Sequence, residues 1–231
     1  MDIEIGERVS VGAVDRVNKP WGYEFRVRLG TNLTLTYLTL YPGSQTSLHC
    51  HPQKTTSLTA ISGTGTIRFL KDSIEFSSGT SFMVRNGLFH QIYNSGQENL
   101  VVLEFENPSD AMDLVRLEDE YGRSLTSYEL KAESNSQSKT EEEFFSFLAN
   151  GGVWSNSETE IMIISPKNSE PVFMDDAVYA VLEGGLRDGV SNSLILREGD
   201  CTSTSTIQRL IGLFEWDPTT RLLQIKKRLL K

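Results

Sequence analysis

The feature that most limits how this chain can fold is the rhythm of its apolar residues. Over residues 23–29 and again over 32–41, polar and apolar side chains alternate, with many Thr, Val, Leu and Tyr. A period of two puts one set of side chains on each face of an extended strand. Shorter runs of the same kind follow at residues 57–61, 64–70, 81–84, 90–94 and 100–106. Between them stand turn residues at Gly63, Asp72-Ser73, Ser78-Gly79, Asn86-Gly87 and Ser95-Gly96. Residues 1–17 alternate more weakly, as an edge strand would, and Pro20 and Gly22 punctuate the step into the next strand around a core-filling Trp21. Many short strands at near-regular spacing predict an all-β sandwich or barrel.

The rhythm breaks after Pro108. Residues 109–123 mix charged and apolar side chains and predict a turn or short strand that closes a first module. Residues 131–139, KAESNSQSK, carry almost nothing to bury and read as a linker. Thr140 with Glu143 then makes a capping-box pattern, Phe144, Phe145, Phe147 and Leu148 form an apolar stripe, and Asn150-Gly151 is a stop. This predicts a helix.

Strand patterning returns beyond it and echoes the first half. Residues 161–166 resemble 37–42, 177–184 resemble 56–63, and Glu198-Gly199-Asp200 falls where Ser78-Gly79-Thr80 did. On the same reading LFEWDP at 213–218 answers LEFENP at 103–108, with a shortened hairpin in between. The second half is thus a degenerate repeat, and it has no histidine. The tail RLLQIKKRLLK reads either as a basic amphipathic helix or as a last strand with a solvated end.

A formal net charge of -9 argues against a nucleic-acid or anionic membrane surface, since both require clustered positive charge. Small molecules or other protein chains are the expected partners. Two cysteines, Cys50 and Cys201, make no disulfide framework, and neither a signal-peptide pattern nor a bilayer-length apolar run is present. These features predict a reduced, soluble, cytoplasmic protein.

The chemistry concentrates in the three histidines. On a strand His49 and His51 project to one face while Cys50 points to the other, and a hairpin at Gly87 can return His90 to the same place. Gly43, five residues, His49-Cys50-His51, four residues, Thr56, six residues, Gly63 has the spacing of one motif. Gly79, five residues, Arg85-Asn86-Gly87, two residues, His90, three residues, Asn94 has that of a second. In this order the pair resembles the two motifs of the cupin superfamily, with Thr56 where the family has a glutamate and Arg85 where it has a proline. Lys19-Pro20-Trp21-Gly22-Tyr23-Glu24 before the motifs, and residues 113–123 after them, are similar to the cupin domain of type II mannose-6-phosphate isomerases. That domain also forms the C-terminal part of bifunctional mannose-1-phosphate guanylyltransferases. The resemblance covers residues 17–123.

Nothing in the resemblance extends to the second half; together with the internal repeat it predicts a bicupin-like all-β chain of two jelly-roll β-barrel modules: a metal-competent cupin over 1–129, a linker over 130–140, and a degenerate cupin-like module over 141–231 that begins with the helix. The resemblance further carries the chemistry. It implies a divalent transition metal, Zn, Mn, Fe or Ni, on His49, His51 and His90. It also implies aldose-ketose isomerisation of a sugar phosphate, with Glu104 as base, Lys54 at the site, and Lys19, Lys54 and Arg123 as phosphate donors at the mouth. Loss of the carboxylate at Thr56 keeps two alternatives open: a cupin that binds a sugar or sugar nucleotide without turnover, and a three-histidine iron dioxygenase. A homodimer through sheet edges is compatible with such a fold.

Overall fold

The computed structural model describes residues 11–122, 139–166, 173 and 176–228, with side chains from Arg16 onward. In chain order the first half gives β1 (Val11–Lys19), β2 (Gly22–Leu29), β3 (Leu33–Leu40), β4 (Leu48–Cys50), β5 (Thr55–Ser62) and β6 (Thr64–Arg68). There follow β7 (Ser73–Ser77), β8 (Ser81–Val84), β9 (Gln91–Tyr93), β10 (Leu100–Asn107) and β11 (Val115–Glu118). The second half gives α1 (Lys139–Asn150), β12 (Val153–Ser155), β13 (Thr159–Ile164), β14 (Ala177–Glu183), β15 (Gly185–Arg187) and β16 (Leu194–Arg197). It ends with β17 (Cys201–Ser203), α2 (Thr204–Leu210), β18 (Glu215–Trp216) and β19 (Arg221–Lys227). The protein is mostly β, and each half is a jelly roll flattened into two facing sheets.

In the first half the large sheet runs β1-β2-β3-β10-β5-β8. Facing it are β7-β6-β9 and β11-β4, which the bridges Gln45↔Tyr93 and His49↔His90 join into one surface. In the second half β12-β13-β19-β14-β17 faces β16-β15-β18. Described strands pair only within their own half. The expected boundary at 129 lies outside the described residues, and that between 140 and 141 falls in the first turn of α1.

Two turns show why glycine is needed where the motifs place it. Gly63 has φ +83, and a Cβ there would lie 2.6 Å from the carbonyl oxygen of Asn99. Gly87 has open space around it but φ +75, a conformation that an L side chain rarely adopts. Its N–H donates to the carbonyl of His51 at 2.8 Å, which returns the hairpin onto the histidine strand.

The large sheets of the two halves pack back to back. Phe25, Leu35, Tyr37, Leu103 and Phe105 of one sheet share a single apolar cluster with Ile161, Ile163, Val178, Leu223 and Ile225 of the other. The opposite residues of the same strands face the first half's own lumen. There Leu38, Leu40, Leu58, Ala60 and Val102 pack with Trp21 in a separate core. Every residue of β3 is therefore buried. At the seam Asn156 Nδ2 and Thr159 Oγ1 each donate to the carbonyl of Ile61 at 3.0 Å. Glu158 accepts from the Gly63 N–H at 2.8 Å.

Helix α1 lies against this seam as its apolar stripe predicts, with Phe144, Phe147 and Leu148 buried. Lys139 is already helical, so Thr140 belongs to the first turn instead of capping it. Gly151 closes the helix, its N–H donating to the Phe147 carbonyl at 2.7 Å.

Sheet order corrects the proposed register of the repeat. The strand between β13 and β14 is β19, as β10 lies between β3 and β5. LFEWDP therefore does not answer LEFENP. Only its Glu215-Trp216 is a strand, and it pairs with β15 as β9 pairs with β6. The tail RLLQIKK is the true counterpart of β10, a central strand, and over the described residues it is no helix.

Candidate metal centre and its pocket

β4 carries His49, His51 follows directly after its last residue, and the hairpin after β8 delivers His90, bridged to His49 through reciprocal backbone bonds of 3.0 and 2.8 Å. The imidazole centroids lie 4.5 Å (His49–His90), 5.0 Å (His49–His51) and 5.5 Å (His51–His90) apart. One donor atom from each comes within 4.8 Å of the other two.

Each ring is oriented in the same way. Nδ1 lies 2.8 Å from the Ser47 carbonyl in His49, 2.7 Å from that of Asp113 in His51, and 3.1 Å from that of Leu88 in His90. A carbonyl oxygen only accepts, so a neutral ring with this contact carries its proton on Nδ1 and presents a lone pair at Nε2. The Nε2 atoms of His51 and His90 are buried with no protein partner. Burial, followed by repulsion from His51, pushes the His90 pKa down to about 4. Burial also lowers His49, well below the ordinary value, and His51, where Glu106 opposes it. Three neutral imidazoles whose donor atoms converge, two of them with a buried and unpartnered Nε2, fit a divalent transition metal. Cys50 points away, as alternation predicts, and is buried against β11.

The other wall of the pocket comes from the large sheet. Residues of β2, β3, β10 and β5 that pair across it form rows: Arg26–Thr36–Glu104–Leu58 and, one step along the strands, Arg28–Thr34–Glu106–Thr56. Arg26, Glu104 and Glu106 line a cavity of about 60 Å³ with the three histidines, Lys19, Glu24, Lys54 and Arg116. On the same measure one water needs about 10–15 Å³, so only a few waters or the small head of a ligand fit inside.

The two carboxylates differ in state. Burial and then repulsion from Glu106 push the Glu104 pKa up to about 8. Burial would raise Glu106 too, but Lys54, Arg26 and His51 outweigh it and hold its pKa below the ordinary range. His51, Glu104 and Glu106 also bring donor atoms within 4.8 Å of one another.

The expected phosphate donors are distributed unevenly. Lys19 lines the pocket and pairs with Glu24 at 3.7 Å. Lys54 does not stand free at the mouth: its ammonium is buried, bonded to Glu106 and to the Asp110 carbonyl at 3.0 Å. Arg123 lies outside the described residues. The sequence reading passed over Glu106, Arg26, Arg116 and Asp113. Asp113 accepts the Gln53 N–H at 3.0 Å and the Lys54 N–H at 2.9 Å while its carbonyl holds His51, so it fixes the turn beyond the histidine pair.

Comparison with known proteins agrees with this geometry. Residues 7–119 match the family described as mannose-6-phosphate isomerase C-terminal. Just under half of the chain is thus a cupin segment like that of mannose-6-phosphate isomerases. The cupin is 27% identical over 110 residues to the xanthan biosynthesis protein XanB of Xanthomonas campestris, a match that covers 47% of this chain and 24% of that protein. It is 28% identical over 109 residues to the alginate biosynthesis protein AlgA of Pseudomonas aeruginosa, covering 46% of this chain and 23% of that protein. The match thus spans about a quarter of the length of these curated relatives. Among solved structures, a conserved Klebsiella pneumoniae protein with a double-stranded beta-helix domain aligns with TM-score 0.39 at 19% identity, over 46% of this chain and 86% of that one.

In the second half the corresponding position is occupied by other side chains. Gln224 stands where Glu104 does, and Tyr179 where Leu58 does; the Gln224 side chain donates to the Tyr179 hydroxyl at 2.7 Å. Ile207 of α2, Phe173 and Trp216 fill the space with apolar side chains.

Proposed function

We propose that this cupin is a metal-dependent aldose-ketose isomerase acting on a sugar phosphate. The observation that carries the reading is the convergence of three neutral histidines on a pocket that also holds Glu104, whose pKa of about 8 suits proton transfer near neutrality. The metal, held by His49, His51 and His90, would supply Lewis-acid polarisation of the substrate carbonyl. Support for the substrate class comes from the matching family's description and from relatives named for polysaccharide biosynthesis.

The residues divide the work. Glu104 removes the proton from C2 of the aldose and returns it to C1, while a proton moves from the C2 hydroxyl to the C1 oxygen, so atoms balance without an external reductant. Ionised Glu106 beside it keeps Glu104 a stronger base than an ordinary carboxylate. The pocket holds four cations, Lys19, Arg26, Lys54 and Arg116, against three carboxylates, Glu24, Glu104 and Glu106, and so favours an anion. The small cavity admits the reacting carbons and leaves the phosphate at the mouth, within reach of Arg26 and Arg116. Coupled turnover of mannose 6-phosphate to fructose 6-phosphate, in protein loaded with Zn²⁺, Mn²⁺, Fe²⁺ or Ni²⁺, tests this. Turnover lost in Glu104→Gln with metal still bound is the expected result. Metal-loaded protein inactive on aldose phosphates would favour a binding role, and Fe²⁺-dependent oxygen uptake would favour a dioxygenase.

A further inference from the structure

We propose that Glu106 supplies the carboxylate ligand of the metal centre, taking over across the β5–β10 pair from position 56, with Lys54 holding it in place. The inference rests on the metal reading above and deepens it. Thr56 and Glu106 are paired directly across antiparallel strands, and both are buried. Residues so paired project to the same face with Cβ atoms about 4.5–5.5 Å apart. A carboxylate on either strand therefore reaches the same volume.

Thr56 itself contributes nothing there that a metal can use strongly. Its hydroxyl is buried and without a partner. Glu106, in contrast, brings Oε1 to 4.0 Å from His51 Nε2, one of the two buried nitrogens that lack a protein partner. Donors about 2.0–2.2 Å from one tetrahedral metal lie about 3.4 Å apart, so Glu106, which groups with His51 and not yet with all three histidines, completes the set by turning inward. A carboxylate oxygen has lone pairs enough to keep the Lys54 bond while it turns to a metal. Lys54 is fixed at both ends, its ammonium by Glu106 and the Asp110 carbonyl and its N–H by Asp113.

Glu104 is the competing candidate, since it shares the group with His51 and Glu106. It stands one row along the sheet, opposite Leu58, and the displaced position 56 is not its neighbour. The two carboxylates of β10 then have separate tasks: Glu106 at the metal, Glu104 at the substrate.

The test uses the full chain, stripped with a chelator and titrated with Co²⁺ alone. Affinity is read by competition with a chromophoric chelator, and the ligand field by visible absorption. Glu106→Gln is expected to weaken Co²⁺ binding more than tenfold and to alter the spectrum, whereas Glu104→Gln and Thr56→Ala stay within about threefold of the parent. The exchange Thr56→Glu with Glu106→Thr is expected to recover binding to within about threefold. Because Glu106→Gln leaves Lys54 unpaired, Lys54→Met with Glu106→Gln removes both charges. In that variant, with circular dichroism and melting like the parent's, the same loss of Co²⁺ affinity is expected. Parent-like affinity and spectrum in Glu106→Gln, or the loss appearing in Glu104→Gln instead, would overturn the proposal. A parent protein that takes up no Co²⁺ would instead sink the metal reading itself.

Discussion

His49, His51 and His90 are held neutral by burial and aimed by backbone carbonyls, so protons compete poorly for their Nε2 atoms. Folded-state values lie below the ordinary 6.5, with His90 at about 4, so the fall of Co²⁺ affinity with acid should have its midpoint below 6.5. A competition titration with a midpoint near 6.5 would show ordinary imidazoles and contradict the geometry. Glu104 acts on stability with the opposite sign. Its pKa rises from 4.5 to about 8 on folding, so the metal-free folded state binds more protons than the unfolded state between those values. Stability from this group therefore falls as pH rises through that window, whereas the depressed histidines matter only below about 6.5. Between pH 6.5 and 8 urea midpoints of the metal-free protein should drop, by up to about 2 kcal/mol in free energy, and Glu104→Gln should flatten that slope. Asp113 touches neither metal nor substrate, but it positions the turn behind His51. Asp113→Ala should weaken metal binding by about 10–100-fold with the protein still folded, checked by the same Co²⁺ competition.

Among the elements, α1 depends on one partly buried ion pair as well as on its aromatic stripe. Arg16 of β1 donates from Nη1 to both carboxylate oxygens of Glu141 at 2.7 and 2.9 Å, and its guanidinium lies 4.1 Å from the Tyr23 ring centroid. Glu141→Ala removes the partner of that partly solvated guanidinium and should destabilise the protein by about 1–3 kcal/mol in urea unfolding. Arg16→Met with Glu141→Leu should restore most of it, since an apolar pair of similar size avoids the desolvation cost. Strands of the first half were legible because alternation survives where one face is polar, as in β2 with Glu24 and Arg26 opposite Phe25 and Val27. It fails for β19, where Leu222, Leu223, Gln224 and Ile225 are all buried because that strand is covered on both faces, and the run imitates a helix. Helix α2 was invisible for another reason: its seven residues, capped by Ser203, bury only Thr204 and Ile207 and show no stripe. The histidines could be read from local spacing. Glu106 could not, because its meaning depends on pairing with Thr56, fifty residues away in the chain.

At the scale of the whole molecule the back-to-back sheets make the two halves one cooperative unit. The shared cluster takes its buried side chains from β2, β3, β10 and α1 as well as from β13, β14 and β19, and each large apolar residue in it contributes about 1.5–3 kcal/mol on burial. The second half thus has a structural task that needs no catalytic residues: it covers the outer face of the sheet whose inner face carries Glu104 and Glu106. Seam bonds reach that sheet directly, since Glu158 accepts from Gly63, and Asn107 Nδ2 donates to the Glu198 carbonyl at 2.6 Å. Phe144 is the sharpest probe, because its ring meets Phe25, Tyr37 and Trp154 at centroid distances of 6.2, 5.2 and 5.1 Å and so touches both halves. Phe144→Ala should cost about 3–5 kcal/mol. In hydrogen exchange under mild urea, amides of β10 and β19 should open with one common free energy, and both should fall together in this variant. Exchange that frees β14 and β19 while β5 and β10 keep full protection would mean that the halves unfold independently, and the metal pocket would then owe nothing to the second half.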